Sequence, residues 1–139
     1  MALIHPIIIL LAIISGVYTG VLGWKRFRFR RGLGSVSDFP WQKHMRWGKK
    51  FYILLWVGFL VGLGFLFNLR GNFFTSGFHG YLAILILLLF SIGVAIGGKL
   101  SRGTGTNHLA LTHMLINYST FSLVLIQIGL GAIFLTFFL

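Results

Sequence analysis

The sequence has 139 residues, of which 57% are hydrophobic and 9% charged, with 19 Gly, 15 Phe and a formal net charge of +11. This composition is unlike that of a water-soluble globular domain and indicates an integral membrane protein. Asp38 is the only carboxylate side chain and there is no Cys, which excludes paired-carboxylate catalysis, thiol nucleophiles, disulfides and thiolate metal sites and leaves the five histidines as the main reactive groups.

Four apolar runs follow one another along the chain. Each is long enough to cross a hydrocarbon core of about 30 Å at about 1.5 Å per residue, and we predict helices at about residues 3–23, 39–69, 79–99 and 108–139. The first run has no basic residue before it and is long for the apolar part of a signal peptide, so we expect a retained helix. The predicted fold is all-α: a single domain, residues 1–139, forming an up-and-down bundle of four transmembrane helices.

Two of these helices have recognisable starts. In the segment "SDFPW", Ser37 or Asp38 is the expected N-cap of the second helix, and Pro40 is expected in its first turn. Asn107 is the expected N-cap of the fourth helix.

Lys and Arg are distributed unequally among the loops. Nine of the twelve lie in the range 25–50, Lys99 and Arg102 flank the third loop, and Arg70 stands alone beside the second. The positive-inside rule then predicts that the first and third loops face the cytoplasm or its equivalent and that both termini lie on the non-cytoplasmic side. Because the basic residues are juxtamembrane and alternate with Phe and Trp, they indicate contact with anionic lipid headgroups, and no nucleic acid is expected as a partner.

Each predicted helix carries a histidine near its start, and the fourth carries two, His108 and His113. In an up-and-down bundle, His5 and His79 belong to the non-cytoplasmic depth, and His44 belongs to the cytoplasmic depth with His113 or His108. Each pair joins helices that are diagonally opposed in a simple bundle, and two imidazoles facing each other across a bundle are what the iron of a six-coordinate haem requires. Zinc fits less well because it needs four clustered ligands, and covalent haem attachment is excluded by the lack of Cys.

Small residues share the helix face of each histidine. At helical spacing the four faces are Ala12, Gly16, Gly20 and Gly23 with His5; Gly48, Leu55, Gly58 and Gly62 with His44; Ala83, Phe90, Gly93 and Gly97 with His79; and Asn117, Thr120, Val124, Gln127 and Gly131 with His113. A flat porphyrin needs small residues beside it, so this pattern favours haem. The alternative is ordinary close packing of helices in lipid, with the histidines as interfacial residues.

Only one of the two histidines at the start of the fourth helix can face a haem opposite His44. His108 and His113 are five residues apart, so their rings lie on different faces of the helix. His113 shares its face with Asn117 and Gln127 and lies further into the apolar run, so it is the predicted ligand. His108 is predicted to be a surface residue or a contact for a haem propionate, and exchange of these two roles is the alternative.

The segments "IHP", "KHMRWGKKFY", "FHGYLAIL" and "HMLIN" together resemble the four-helix core of cytochrome b561-like and ferric-reductase-like di-haem membrane proteins. More closely, the chain resembles a small family of four-helix membrane proteins of cyanobacteria and chloroplasts, over nearly its whole length. The resemblance implies a b-type cytochrome with two haems b, one near each surface of a bacterial plasma membrane or a thylakoid membrane. By position, His44 and His113 correspond to the inner pair of ligands, and His5 and His79 to the outer pair.

Basic side chains are the expected partners of the anionic haem propionates. Arg70 is the candidate at the outer surface, where it is the only Lys or Arg, and its alternative role is that of a helix-end residue reaching the membrane surface. The candidates at the inner surface are Arg46, Lys50, Arg102, Lys43 and Lys49.

The expected function is the transfer of single electrons across the membrane through two bis-histidine haems, with one haem as the alternative count. A quinone or quinol, a small reductant or a redox protein is the expected donor or acceptor. Two other functions stay open: a non-redox accessory or assembly subunit of a photosynthetic or respiratory complex, and a single-haem quinone-binding anchor. A homodimer or a larger membrane complex is compatible with all three.

Overall fold

The computed structural model describes residues 3–33, 39–72 and 76–136. These residues form four α-helices and parts of the connecting loops: α1, Ile4–Arg30; α2, Trp41–Arg70; α3, Phe78–Ser101; and α4, Asn107–Thr136. Each helix is long enough and apolar enough to cross a membrane. The prediction of an all-α protein with four membrane-length helices is thus confirmed, whereas the side on which the termini lie stays a prediction.

The first helix extends beyond the apolar run that predicted it. It continues past Gly23 through the basic residues to Arg30, because Lys, Arg and Phe change the polarity of a helix without breaking it. The helix ends just before Gly32, which takes a positive φ of 71°, a conformation that favours Gly. The basic residues after the membrane-length segment therefore belong to the same helix.

The second helix begins slightly later than predicted. Its first residue is Trp41, and the carbonyl oxygen of Pro40 accepts the backbone N–H of His44 at 3.0 Å. Pro40 therefore precedes the first turn instead of lying within it. The expected caps, Ser37 and Asp38, lie outside the described residues.

The prediction that Asn107 caps the fourth helix is wrong by one position. Asn107 is the first helical residue, and Oγ1 of Thr106 accepts the backbone N–H of Leu109 at 3.2 Å, which makes Thr106 the N-cap. Asn and Thr are both favoured at this position, so residue type alone did not distinguish the two neighbours.

The chain divides into two compact units, residues 1–58 and 59–139, with the boundary inside α2. In the first unit, α1 runs antiparallel to the first part of α2: His5, at the start of α1, contacts Gly58, and His44, near the start of α2, contacts Thr19 late in α1. The side chains buried in this unit are Ala12, Ser15, Leu22, Phe51 and Leu55.

In the second unit, α3 and α4 pack against each other with a close approach of their backbones. They are also antiparallel, because His79 at the start of α3 lies beside Gln127, and His113 near the start of α4 lies beside Gly93. The side chains buried in this unit are Leu66, Ser76, Leu82, Ile86, Leu87, Phe90, Thr120 and Val124. Thr120 is completely buried, and its hydroxyl donates to the carbonyl of Ile116 at 2.6 Å.

Many large apolar side chains remain exposed in both units, including Leu10, Ile53, Leu88 and Leu125, each more than half exposed. In water such surfaces would drive aggregation. In a membrane they contact lipid chains, which are as apolar as the side chains themselves. The exposed apolar surface therefore agrees with the membrane-length helices.

Candidate functional site

In the first unit the ring of His44 lies against the backbone of α1. Its Nδ1 is 3.0 Å from the carbonyl oxygen of Thr19. One turn further along α1, Gly23 faces the same ring, and a Cβ there would lie 3.1 Å from Cε1 of His44. The close approach of the imidazole to α1 therefore depends on a glycine at position 23.

His113 repeats this arrangement in the second unit. Its Nδ1 is 2.9 Å from the carbonyl oxygen of Gly93, and a Cβ at Gly97, one turn further along α3, would lie 3.0 Å from its Cε1. Asn117 adds a contact on the other side, where its Nδ2 donates to the backbone carbonyl of His113 at 2.6 Å and lies 3.3 Å from Nδ1 of the ring.

The two remaining helix-start histidines also lie against neighbouring backbones, at the opposite ends of the helices, His5 beside a carbonyl oxygen and His79 beside a glycine. Nδ1 of His5 is 2.7 Å from the carbonyl oxygen of Gly58. A Cβ at Gly131 would lie 3.1 Å from Cε1 of His79, whose ring is also parallel to that of Phe134 at a centroid distance of 6.3 Å. Each of the four imidazoles thus rests on the backbone of its antiparallel neighbour.

These contacts define the protonation of three rings. A carbonyl oxygen only accepts hydrogen bonds, so Nδ1 of His5, His44 and His113 must carry the proton and donate it. In a neutral imidazole the lone pair is then on Nε2, which is the nitrogen that can bind a metal. Histidines that bind metals commonly donate their other ring N–H to a carbonyl, which fixes the tautomer and the orientation of the ring.

The same spacing recurs in all four helices. Each histidine is followed fourteen residues later by the residue beside the partner's ring, and eighteen residues later by a glycine, giving the sets His5, Thr19, Gly23; His44, Gly58, Gly62; His79, Gly93, Gly97; and His113, Gln127, Gly131. Eighteen residues make about five turns at about 3.6 residues per turn, so the histidine and the glycine share one side of the helix. The faces predicted from the sequence included these residues except Thr19, and the equal spacing was the signal that the prediction did not use.

The other predicted site residues lie on the surface. His108 is exposed in the first turn of α4. It lies on a different face of the helix from His113, which is five residues further along. Arg46, Arg70, Lys50 and Arg102, the candidates for propionate contacts, are exposed as well, and Nζ of Lys50 lies 4.5 Å from the centroid of the Trp47 ring. Within the described ranges, no group of three or more His, Cys, Asp or Glu side chains is placed to hold a metal ion.

Comparison with protein-family models, with curated proteins and with solved structures finds no match for this chain. The resemblance to di-haem membrane cytochromes therefore stays a prediction, and the functional argument rests on the geometry of the histidines.

Proposed function

We propose that the protein is a membrane-bound b-type cytochrome whose helix-start histidines bind haem iron through Nε2. The observation that carries the proposal is the contact of Nδ1 with a helix carbonyl, at 2.7, 3.0 and 2.9 Å for His5, His44 and His113. Three such contacts in one small chain favour imidazoles that are prepared to bind a metal.

The donor chemistry of the imidazoles fits haem. Neutral imidazole is a common axial ligand of haem iron, whereas structural zinc would need more ligands than the chain brings together. Glycines at positions 23, 97 and 131 allow each ring to lie directly on a helix backbone, which restricts its rotation. When bound by two histidines, haem supplies a one-electron centre with no open iron position.

We propose two haems b, the inner one held by His44 and His113 and the outer one by His5 and His79. This pairing follows from the order of the histidines and their depth along alternating helices. It requires an up-and-down four-helix bundle with both termini on the non-cytoplasmic side of a bacterial plasma or thylakoid membrane. A quinone, a quinol or a redox protein would deliver or accept the electrons.

The exposed cations complete the proposal at the two surfaces. Arg70 is the proposed propionate partner outside, and Arg46, Lys50 and Arg102 are the proposed partners inside. The basic end of α1 is proposed to lie against anionic lipid headgroups. Its cations are interleaved with aromatic rings, with the guanidinium of Arg26 5.3 Å from the centroid of Phe29.

The test is the haem content of the purified protein, made in cells with ample haem supply. We expect two haems b per chain, measured by reduced-minus-oxidised spectra and by haem extraction. His44→Ala and His113→Ala should each remove the same haem and leave the other, and His5→Ala and His79→Ala should remove the second. His108→Ala is the matched control and should keep both.

Other counts separate the alternatives. One haem per chain, lost in His44→Ala and His113→Ala only, would support the single-haem anchor. No haem in a folded, helical protein would overturn the cytochrome proposal and favour an accessory subunit in which the histidine contacts only join helices.

A further inference from the structure

One of the four helices has a polar residue where the other three have an apolar residue or glycine. Four residues after its histidine, α1 has Ile9, α2 has Gly48, α3 has Ala83 and α4 has Asn117. Asn117 is half-buried, and its side chain turns back toward the start of α4. It is therefore the only side chain at this position that can act on a histidine by hydrogen bonding.

The amide of Asn117 is held in one orientation. Its Nδ2 donates to the backbone carbonyl of His113 at 2.6 Å, a bond that the amide oxygen cannot make. The backbone of Gly93 lies close to the other side of the amide, where a Cβ would be only 2.6 Å from both Nδ2 and Oδ1. The amide thus occupies a slot between two helices with its nitrogen directed to the start of α4.

This orientation brings the amide nitrogen to the ring of His113. Nδ2 lies 3.3 Å from Nδ1, the ring nitrogen that donates its proton to the carbonyl of Gly93 at 2.9 Å. The nitrogen is the positive end of the amide dipole, and in a site of low dielectric constant its field on the ring is weakly screened. A positive potential at Nδ1 draws electron density from the imidazole and makes Nε2 a weaker donor.

We propose that Asn117 is a positioning residue that acts through the ring of His113 and raises the reduction potential of the haem that His113 binds. The proposal rests on the proposed function, because it needs iron at Nε2. A weaker donor stabilises ferrous iron relative to ferric iron, and the polar groups around an axial ligand are a known means of changing the potential. The matching position of α2, four residues after His44, is Gly48, which has no side chain to act on the ring.

The test compares Asn117→Ala and Asn117→Asp with the unchanged protein by potentiometric titration of both haems. Ala removes the positive end of the dipole, and Asp replaces it with a carboxylate that accepts the Nδ1 proton and strengthens the donor. The potential of the haem lost in His113→Ala should therefore fall in the order unchanged protein, Asn117→Ala, Asn117→Asp. The potential of the other haem should not move, and the low-spin ferric EPR signal should change for the first haem alone.

Thr112→Ala is the matched control. It removes a hydrogen bond of the same kind, from Oγ1 of Thr112 to the carbonyl of His108 at 2.9 Å, on an exposed part of α4. Both potentials should stay unchanged in this variant.

Asn117→Ser covers the case in which Ala or Asp prevents folding. A Ser hydroxyl can still donate to the carbonyl four residues back, as Ser91 does to Leu87 at 2.7 Å, but it lacks the amide nitrogen at the ring. The potential should fall in this variant as well. Unchanged potentials in the Asn117 variants, or the reverse order, would overturn the role of Asn117 and leave the cytochrome proposal intact. A protein without haem overturns both.

Discussion

The two units hold His44 and His113 in the same way but surround these two rings with different side chains. In each, a ring nitrogen lies 2.7 to 3.0 Å from a helix carbonyl of the antiparallel neighbour. Two of the differences are amides, because Asn117 and Gln127 of α4 correspond to Gly48 and Gly58 of α2. At these two positions the first unit has glycines, and the second unit has side-chain amides.

The two units thus distinguish the groups that orient an imidazole from the groups that change its donor strength. The shared features are backbone features, a carbonyl that accepts Nδ1–H and a glycine that admits the ring, so they are sufficient to orient a histidine in the first unit. In the second unit, the amide of Asn117 lies beside a ring that already has these contacts. We therefore expect changes at the shared glycines to affect both units and changes at the amides to affect the second unit alone.

The largest loss of stability is expected from Gly93→Ala. The new Cβ would lie 2.6 Å from both terminal atoms of the Asn117 amide, and that amide is held by its bond to His113. We expect the free energy of unfolding to fall by about 2 kcal/mol, within the range of overpacked sites. Far-UV circular dichroism during an SDS titration in detergent micelles measures it. In a chain that also carries Asn117→Gly the obstruction is absent, so Gly93→Ala should have little effect; an equal loss in both chains would contradict the explanation.

Gly58→Ala is the counterpart in the first unit and should lower the free energy of unfolding by less. Its Cβ would also meet an atom at 2.6 Å, but that atom is Cδ1 of Ile9, the far end of a flexible side chain. We expect a loss of about 1 kcal/mol or less in the same titration. Gly98→Ala is the control, since a Cβ there meets nothing within 4 Å. A loss of stability in Gly58→Ala as large as that in Gly93→Ala would show that the Asn117 amide does not explain the difference between the two sites.

Gly23→Ala and Gly97→Ala should have equal effects, both smaller than that of Gly93→Ala, because these glycines play the same part in the two units. A Cβ would lie 3.1 Å from Cε1 of His44 in one case and 3.0 Å from Cε1 of His113 in the other. Each ring must shift by a few tenths of an ångström, and we expect about 1 kcal/mol of lost stability and about tenfold weaker haem binding in each. Haem titration of the apoprotein measures the second quantity. Gly129→Ala, which meets nothing within 4 Å, should bind haem normally, and clearly unequal effects of the two variants would show that the units differ in their shared contacts too.

The number and type of helices could be predicted from the sequence because the thickness of a membrane sets the length of an apolar run. The ends of the helices could not, because they depend on single backbone conformations. The first helix ends at Arg30, before the positive φ of Gly32 and well after its apolar run stops. The fourth is capped by Thr106 instead of Asn107, a choice between two residues of similar capping strength.

The faces of the histidines were also predictable, since they follow from a period of about 3.6 residues. What the sequence did not reveal is the use of the glycines. Space for a porphyrin was the predicted role, whereas Gly23, Gly97 and Gly131 lie against the imidazoles of neighbouring helices. That role depends on which helices are antiparallel partners and on their axial alignment, and neither can be read from one helix at a time.

The smallest effect is expected from Gln127→Met, although this side chain is the second of the two amides that distinguish the units. Nε2 of Gln127 donates to the backbone carbonyl of His79 at 2.9 Å, but its Oε1 is buried and has no hydrogen-bond partner among the described residues. The loss of one hydrogen bond, about 1 kcal/mol, is offset by release of the unsatisfied oxygen, which costs about 1 to 3 kcal/mol while it is buried. The free energy of unfolding should therefore change by less than about 1 kcal/mol in the SDS titration.

The same variant sharpens the difference between the two amides. The Gln127 contact at 2.9 Å is to the backbone of His79, whereas Asn117 reaches both the backbone and the ring nitrogen of His113. The field of an amide at a ring falls with distance, so Gln127→Met should shift the potential of the outer haem less than Asn117→Ala shifts that of the inner one. A larger shift in the outer haem would mean that orientation of the histidine backbone, and not the amide nitrogen at Nδ1, controls the donor strength of the ring.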